Sequence, residues 1–354
     1  MELDRTNQRL LNIIQTGFPL TERPYREIGE VLGISEEEVL QRLEELISEN
    51  FVRFIGAIIN TTSLGFESAL VAFKIASEKI SHAAEFVNSH PGVSHNYERN
   101  DAYNLWFTIA VPEDIDLKST VTKLCKLSGA SELLILPALK MYKIGVVLNA
   151  SIEMDEIPSA LGPGNEGSVT RTSQKEYPLS RDDKEKISPL QKKVLAQLQN
   201  SIPLRQEPFN DMARNTGRTP QEFLQVVNEL MEKGVIRRFG AVPNHKKIGY
   251  TYNVMVVWDV PEDKIDEYGR RIASYKTVTH CYRRPVCPGW PFSLYSMLHC
   301  RSDEECNTIV KEIQKLTGCE NYRLLTSVRE FKKKRLKYFS DDFYRWEKES
   351  GCLL

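Results

Sequence analysis

Residues 53–57 read R-F-I-G-A and residues 237–241 read R-R-F-G-A, and the fold follows from that recurrence. Gly56 plus 184 is Gly240. The same step takes Gly65 to Gly249, Pro19 to Pro203 and Pro24 to Pro208. Further on, V-S-H-N-Y at 93–97 returns as V-T-H-C-Y at 278–282, a step of 185. After a short insertion in the second stretch, L-S-G at 127–129 returns as L-T-G at 316–318, a step of 189. Long stretches at a constant offset, broken by small steps, mark an internal duplication, which takes precedence over any local assignment.

Between the copies the composition changes. Residues 150–186 carry Pro158, Gly162, Pro163, Gly164 and Gly167 among serines and charges, with no helical or strand period. They read as a flexible linker. A chain of that length has an end-to-end distance of roughly 30–36 Å, enough for two halves to pack side by side. Fusion also keeps the halves at high effective concentration.

Each copy has two parts. In the first, Leu3, Leu10, Leu11, Ile13 and Ile14 form a helical stripe, and Tyr25–Leu32 is a short amphipathic helix ended by Gly33. Ser35 caps the next helix, with Glu38 placed for a capping box. Val39, Leu40, Leu43, Leu46 and Ile47 recur at three- and four-residue spacing. This is a helix-turn-helix pattern, followed by a β-rich wing at Val52–Asn60. From Ser68 the pattern changes to strand Ala69–Ile75, helix Lys79–Asn88, strands Val93–Glu98 and Leu105–Val111, helix Ile115–Leu127 and one final strand within Leu133–Val147. That order is the βαββαβ, ferredoxin-like arrangement. The second copy repeats it from Tyr252 to about Lys334.

The expected fold class is therefore α+β: a tandem duplication of a winged helix-turn-helix unit plus a ferredoxin-like unit, forming an internal pseudo-dimer. The boundaries predicted are 1–62 and 63–149 for the first copy, 150–186 for the linker, 187–247 and 248–339 for the second copy, and 340–354 for a C-terminal tail. Such a chain resembles the Lrp/AsnC regulator superfamily over nearly all of both copies.

Bulk composition narrows the function. The 354 residues are 41% hydrophobic and 27% charged, an ordinary globular balance. A net charge of −1 creates no general attraction to nucleic acid or membrane. No apolar run approaches the roughly 18–20 residues that span a bilayer. The charged start, M-E-L-D-R, is not a secretory signal, so a cytoplasmic protein is expected. Seven cysteines without a C-x-x-C pair read as reduced thiols rather than a disulfide framework or zinc site.

DNA binding is not expected, although the fold invites it. The first recognition helix carries Glu36, Glu37, Glu38, Glu44 and Glu45 against Arg42 alone. Phosphate backbones are bound through lysine and arginine, so this helix would be repelled. The second has no arginine to read guanine edges. The helix-turn-helix reads instead as a packing and dimerisation element. The basic run Lys332–Arg335 with Lys337 reads as a phosphate site, a solvated strand end or a site for an acidic ligand.

The chemistry concentrates in H-N-Y-E-R at 95–99 and H-C-Y-R-R at 280–284. On a strand, His95, Tyr97 and Arg99 share one face, as do His280, Tyr282 and Arg284. A proton donor, a phenol and an anion-binding guanidinium pointing one way suit a reactive acidic ligand. A single such histidine would ordinarily be a solvated polar group; the same triple in both copies points to function. His299 and Cys300 read as structural, and His82, His90 and His245 as surface residues.

H-N-Y-x-R followed by Y-N-L-W-F-T, H-C-Y-x-R followed by P-x-W-P-F-S-L, and V-V-W-D-V-P-E at 256–262 resemble the paired signatures of siroheme decarboxylases. That family works as two related subunits, and here the copies resemble one subunit type each, fused. The resemblance implies a carboxy-lyase of an alternative haem or nitrite-reductase haem route, converting two acetate side chains of siroheme to methyl groups. It implies no cofactor beyond the substrate iron tetrapyrrole. On this reading His95, Tyr97, His280 and Tyr282 are the catalytic candidates, with either histidine a proton donor or an axial ligand to the substrate iron. Arg53, Arg99, Arg237, Arg238, Arg283 and Arg284 are candidates for the substrate carboxylates, since guanidinium matches carboxylate bidentately. Tyr103, Trp106, Phe107 and Phe292 read as core residues that could also give the reacting acetates drier surroundings, and Trp290, flanked by Pro288-Gly289 and Pro291, reads as a loop lid or a group stacking on the substrate face. The partners are siroheme and its products; a further homodimer stays open. The competing readings are a ligand-responsive transcription regulator and a non-catalytic tetrapyrrole-binding protein.

Overall fold

The structure is a computed structural model that describes residues 3–145 and 186–351. The expected linker lies outside them except for Lys186. The described residues fall into two units, one of residues 3–60, 145 and 186–251 and one of residues 61–144 with 252–351.

The first unit holds both helix-turn-helix segments. Helices α1 (Arg5–Thr16), α2 (Pro24–Leu32) and α3 (Glu36–Ser48) lead into strand β1 (Val52–Ile59); α6 (Pro189–Gln197), α7 (Asn210–Thr216) and α8 (Pro220–Glu232) lead into β7 (Ile236–Pro243). Gly33 and Gly217 each end the second helix at φ 73°, a left-handed conformation that glycine adopts without strain. Thr219 and Glu222 form a complete capping box. In the first copy only half of it forms: Ser35 accepts from Glu38 N, but the Glu38 carboxylate pairs with Arg42. Arg42 also pairs with Asp4, so the one cation of the acidic helix is engaged within the fold.

The wings join the copies. β1 and β7 form a two-stranded antiparallel sheet in which Gly56 faces Gly240. A Cβ at Gly240 would lie 2.5 Å from the Ile14 carbonyl oxygen, so glycine lets α1 end against this ribbon. Around it Phe18 meets Phe239 at 5.6 Å between ring centroids, and Phe239 meets Phe209 at 6.2 Å, so the two copies share apolar contacts. The helix-turn-helix segments are here a packing element joined by sheet pairing.

The second unit holds both ferredoxin-like segments. The first copy supplies β2 (Glu67–Lys74), α4 (Ile80–Ser89), β3 (Val93–Arg99), β4 (Leu105–Val111), α5 (Leu117–Ser128), β5 (Glu132–Pro137) and β6 (Lys140–Ile144). The second supplies β8 (Tyr252–Trp258), α9 (Ile265–Ala273), β9 (Val278–Arg283), β10 (Leu294–Cys300), α10 (Asp303–Thr317) and β11 (Tyr322–Lys333). All nine strands join one sheet, ordered β5-β2-β4-β3-β11-β8-β10-β9-β6. Apolar residues facing the helices make one core per copy, and a third cluster, including Trp106, Leu136, Met255, Trp290 and Leu325, draws on both copies.

The end of each copy crosses to the other. β11 pairs with β8 through its first half and with β3 through its second. In the first copy the corresponding segment is two strands, not the single one expected: β5 pairs with β2 and β6 with β9. Pro137 accounts for the break, because it has no N–H to continue a ladder; the step of 189 puts Thr326 at that place in the unbroken β11. Lys143 and Lys332, also 189 apart, anchor these crossed strands. Lys143 Nζ donates to the Tyr275 carbonyl at 2.7 Å and Lys332 Nζ to Asn88 at 2.6 Å. Lys332 thus binds carbonyls at the end of α4, and burial with Lys334 nearby lowers its pKa to about 8.

The expected C-terminal tail is a helix, α11 (Asp342–Gly351), docked on the first copy. Phe343 is buried in that copy's core, Trp346 Nε1 donates to Ser89 Oγ at 2.9 Å, and Glu347 binds Thr120 and Lys123. Phe343 and Trp346 cover His90, which is fully buried and not the surface residue expected. His245 is buried too, while His82 is exposed. No helix among the described residues is long and apolar enough to cross a membrane.

Candidate functional site

β3 and β9 are extended, so every second side chain shares a face. His95 and Tyr97 lie with ring centroids 6.3 Å apart and planes at 25°. His280 and Tyr282 have the same 6.3 Å and 25°. The arginine completes each row: Arg99 Cζ is 5.6 Å from the Tyr97 ring and Arg284 Cζ 5.0 Å from the Tyr282 ring. Both histidines and both tyrosines are partly exposed.

The arginines are held by the strand exchange. Arg99 Nη1 donates to the Leu325 carbonyl on β11, and Arg284 Nη1 to the Leu136 carbonyl on β5. Leu136 and Leu325 are themselves 189 apart, so the two bonds are equivalents. No described carboxylate pairs with either guanidinium, and the buried Nε of each has no acceptor among the described residues. Burial lowers the pKa of Arg99 to about 10 and that of Arg284 in the same direction; each remains cationic at neutral pH.

Aromatic groups stand beside both rows. Tyr97 is paired across the ladder with Trp106, and Tyr282 with Tyr295. Trp290 lies between them: its ring is 5.6 Å from Trp106, and its Nε1 donates to Tyr295 Oη at 2.7 Å. At 1% exposure Trp290 is a core residue, so the lid expected of it is corrected. The prolines and Gly289 fold the inserted loop back, with Cys287 and Trp290 bonded backbone to backbone. Tyr103 packs edge-on against Trp290 at 5.5 Å and donates to Glu132 at 2.8 Å; burial and that carboxylate push its pKa up to about 12. Phe292 packs on Trp290 at 4.9 Å, whereas Phe107 faces the helices and meets Phe73.

Not every candidate joins this face. Arg283 alternates to the opposite side and pairs with Glu262. In the other unit, Arg53 donates to Asn244 Oδ1 at 3.0 Å and Arg237 to Asn60 Oδ1 at 2.5 Å, a reciprocal pair at the step of 184. Arg238 donates to the Gln15 carbonyl at 2.6 Å, which ties β7 to the end of α1. Three polar groups at the histidines were not among the candidates. Ser94 lies 3.0 Å from His95 Nδ1, and Thr279 lies 3.0 Å from His280 Nδ1 and 2.9 Å from His299 Nδ1. A hydroxyl residue directly before the histidine in both copies was the available signal. No group of three or more His, Cys, Asp or Glu among the described residues is placed to hold a metal ion.

Crossed ferredoxin-like sheets, paired wings and a polar triple in each copy define a duplicated AsnC-like ligand-binding protein. The AsnC-like ligand binding domain model matches residues 63–143 and 247–332, and the siroheme decarboxylase NirDL-like HTH domain model matches residues 7–53 and 191–237. The chain belongs to the siroheme decarboxylase family. It is 37% identical to the siroheme decarboxylase of Hydrogenobacter thermophilus over 96% of this chain and 97% of that protein. The siroheme decarboxylase alpha subunit of Oleidesulfovibrio alaskensis is 43% identical over 45% of this chain and 94% of its own length, and the beta subunit of that organism is 40% identical over 41% of this chain and 93% of its own length, so the halves are subunit-like. The crystal structure of the siroheme decarboxylase NirDL superposes with a TM-score of 0.74 at 33% identity, covering 99% of both chains. A second NirDL structure, in co-complex with an iron-uroporphyrin III analogue, gives 0.72.

Proposed function

We propose that this chain decarboxylates siroheme, converting two acetate side chains to methyl groups, with the His–Tyr–Arg faces as its reactive surfaces. The observation that carries the reading is the recurrence of the triple with one geometry in both copies of a siroheme decarboxylase-family chain. In each reaction the bond between the acetate methylene and its carboxylate breaks, carbon dioxide leaves, and the electron pair stays on the methylene carbon. The conjugated macrocycle shares that charge until a proton arrives. His95 or His280 is suited to supply it near neutrality, and Tyr97 or Tyr282 to orient the chain or relay the proton.

Arg99 and Arg284 have the charge and, among the described residues, no paired carboxylate to oppose it, which suits groups that the substrate keeps. An arginine gripping the departing carboxylate would stabilise the ground state and slow its loss. Trp106, Tyr295 and Trp290 make the drier region in which charge leaves more readily. A regulator reading has less support, because the recognition helix is acidic and its arginine is engaged.

Anaerobic incubation of the purified protein with siroheme, followed by mass analysis of the extracted tetrapyrrole, tests the proposal. Stepwise loss of two carbon dioxides is expected. Binding without mass loss would make the protein a carrier, and absence of binding would return the regulator reading to first place.

A further inference from the structure

The two triples differ in what stands behind the histidine. His299 on β10 holds the place that Ala110 holds on β4, at the step of 189. Both His299 and Thr279 are buried. The Thr279 hydroxyl has three polar neighbours: His299 Nδ1 at 2.9 Å, His280 Nδ1 at 3.0 Å and the Met297 carbonyl oxygen at 3.2 Å.

Where all three contacts are hydrogen bonds, counting hydrogens assigns their roles. A hydroxyl has one hydrogen to donate and two lone pairs to accept with. A carbonyl oxygen only accepts, so the hydroxyl hydrogen goes to Met297. Both lone pairs then accept, and each imidazole must carry hydrogen on Nδ1. In no other arrangement are all three contacts hydrogen bonds. A neutral imidazole has one ring hydrogen, so His280 bears its lone pair on Nε2. In the first copy, Ser94 Oγ has His95 Nδ1 at 3.0 Å and Thr108 Oγ1 at 3.3 Å. Both of those neighbours can donate or accept, so the Ser94 hydroxyl does not by itself impose a tautomer.

We propose that Thr279 and His299 are positioning residues that hold His280 with hydrogen on Nδ1, making Nε2 the atom that exchanges the proton in turnover. The inference rests on the proposed function and deepens it. In the charged ring, the Nε2 proton passes to the methylene carbon that has lost carbon dioxide. The ring returns to its neutral Nδ1–H form, and solvent reloads Nε2. The bonds to Met297 and His299 use the hydroxyl's hydrogen and one lone pair, leaving His280 a lone pair only.

The test uses the full chain labelled with nitrogen-15 in its histidine rings. Only six histidines contribute, and long-range nitrogen–proton correlations distinguish the tautomers. His280→Gln and His299→Gln identify the two signals. Hydrogen on Nδ1 is expected for both neutral rings. Thr279→Val should move His280 toward the Nε2–H form and lower kcat about tenfold or more with KM little changed, and Thr279→Ser should restore both. An Nε2–H ring at His280 in the unaltered protein overturns the inference, as does an unchanged kcat in Thr279→Val. Undiminished turnover in His280→Ala would instead overturn the site reading beneath it.

Discussion

Arg99 on the first copy's β3 donates to the carbonyl of Leu325 on the second copy's β11 at 2.5 Å. Each triple therefore has its arginine fixed by the opposite copy, since Arg284 reaches Leu136 in the same way. Each face contains a contact that neither copy can make alone.

Arg99→Met and Arg284→Met should weaken tetrapyrrole binding. A hydrogen bond to a charged group contributes about 1.5–3 kcal/mol, or roughly 10- to 150-fold in affinity. Titration of each variant with the iron tetrapyrrole under argon measures the change. Unaltered affinity in both would remove the arginines from the site.

His95→Ala and His280→Ala should have unequal effects on turnover, because the second copy places His299 behind His280 where the first copy has Ala110. Loss of a general acid commonly lowers turnover by about 100- to 10,000-fold, and that is expected for His280→Ala. The loss for His95→Ala should be smaller. Equal and negligible losses would sink the assignment of both histidines.

Trp290→Ala should destabilise the protein. A buried aromatic replaced by alanine costs about 3–5 kcal/mol, and Trp290 joins the aromatic groups of both copies. Trp290→Phe keeps most of the packing but leaves Tyr295 without its donor, at about 1 kcal/mol. Urea midpoints rank the three proteins. A midpoint for Trp290→Ala equal to that of the unaltered chain would contradict the packing described.

Stability should depend on pH through His90. Burial beneath Phe343 and Trp346, with Lys332 nearby, lowers its pKa from 6.5 to about 3. Its Nδ1 accepts from Gly92 N at 2.9 Å, which requires the neutral ring. The unfolded chain takes up a proton below about pH 6.5 while the folded chain does not. The contribution is therefore complete above that pH and is lost progressively as pH falls toward 3, by several kcal/mol on the order expected from linkage. His90→Gln should flatten the stability profile between pH 6 and about 4. Removing residues 341–354 should flatten it too, by wetting the ring; an unchanged slope in the truncated chain would show that the helix does not set the pKa.

Much of this arrangement was legible in the residues. Constant offsets gave the duplication, and period-two spacing put His95, Tyr97 and Arg99 together, because alternation on a strand is local geometry. The crossing of β6 and β11 was not legible, since pairing partners distant in sequence leave no periodic trace. Pro137 announced a break but not its destination. Trp290 was misread because prolines and glycine mark a loop without telling whether its tryptophan faces solvent or folds inward. The final helix was missed because Phe343, Trp346 and Glu347 make sense only against the first copy's surface. The link from His299 to His280 was not legible because it runs through a hydroxyl twenty residues away.

The crossed strands also impose an order on synthesis. β3, which carries His95, leaves the ribosome as a sheet edge, and its partner β11 ends 234 residues after Arg99. At ordinary translation rates that is roughly 10–50 s with an open row of amide groups. Exposed edges recruit other strands, so the nascent first half is expected to aggregate more readily than the finished chain. Production conditions that protect it for that interval should raise yield more than any stabilisation of the finished fold.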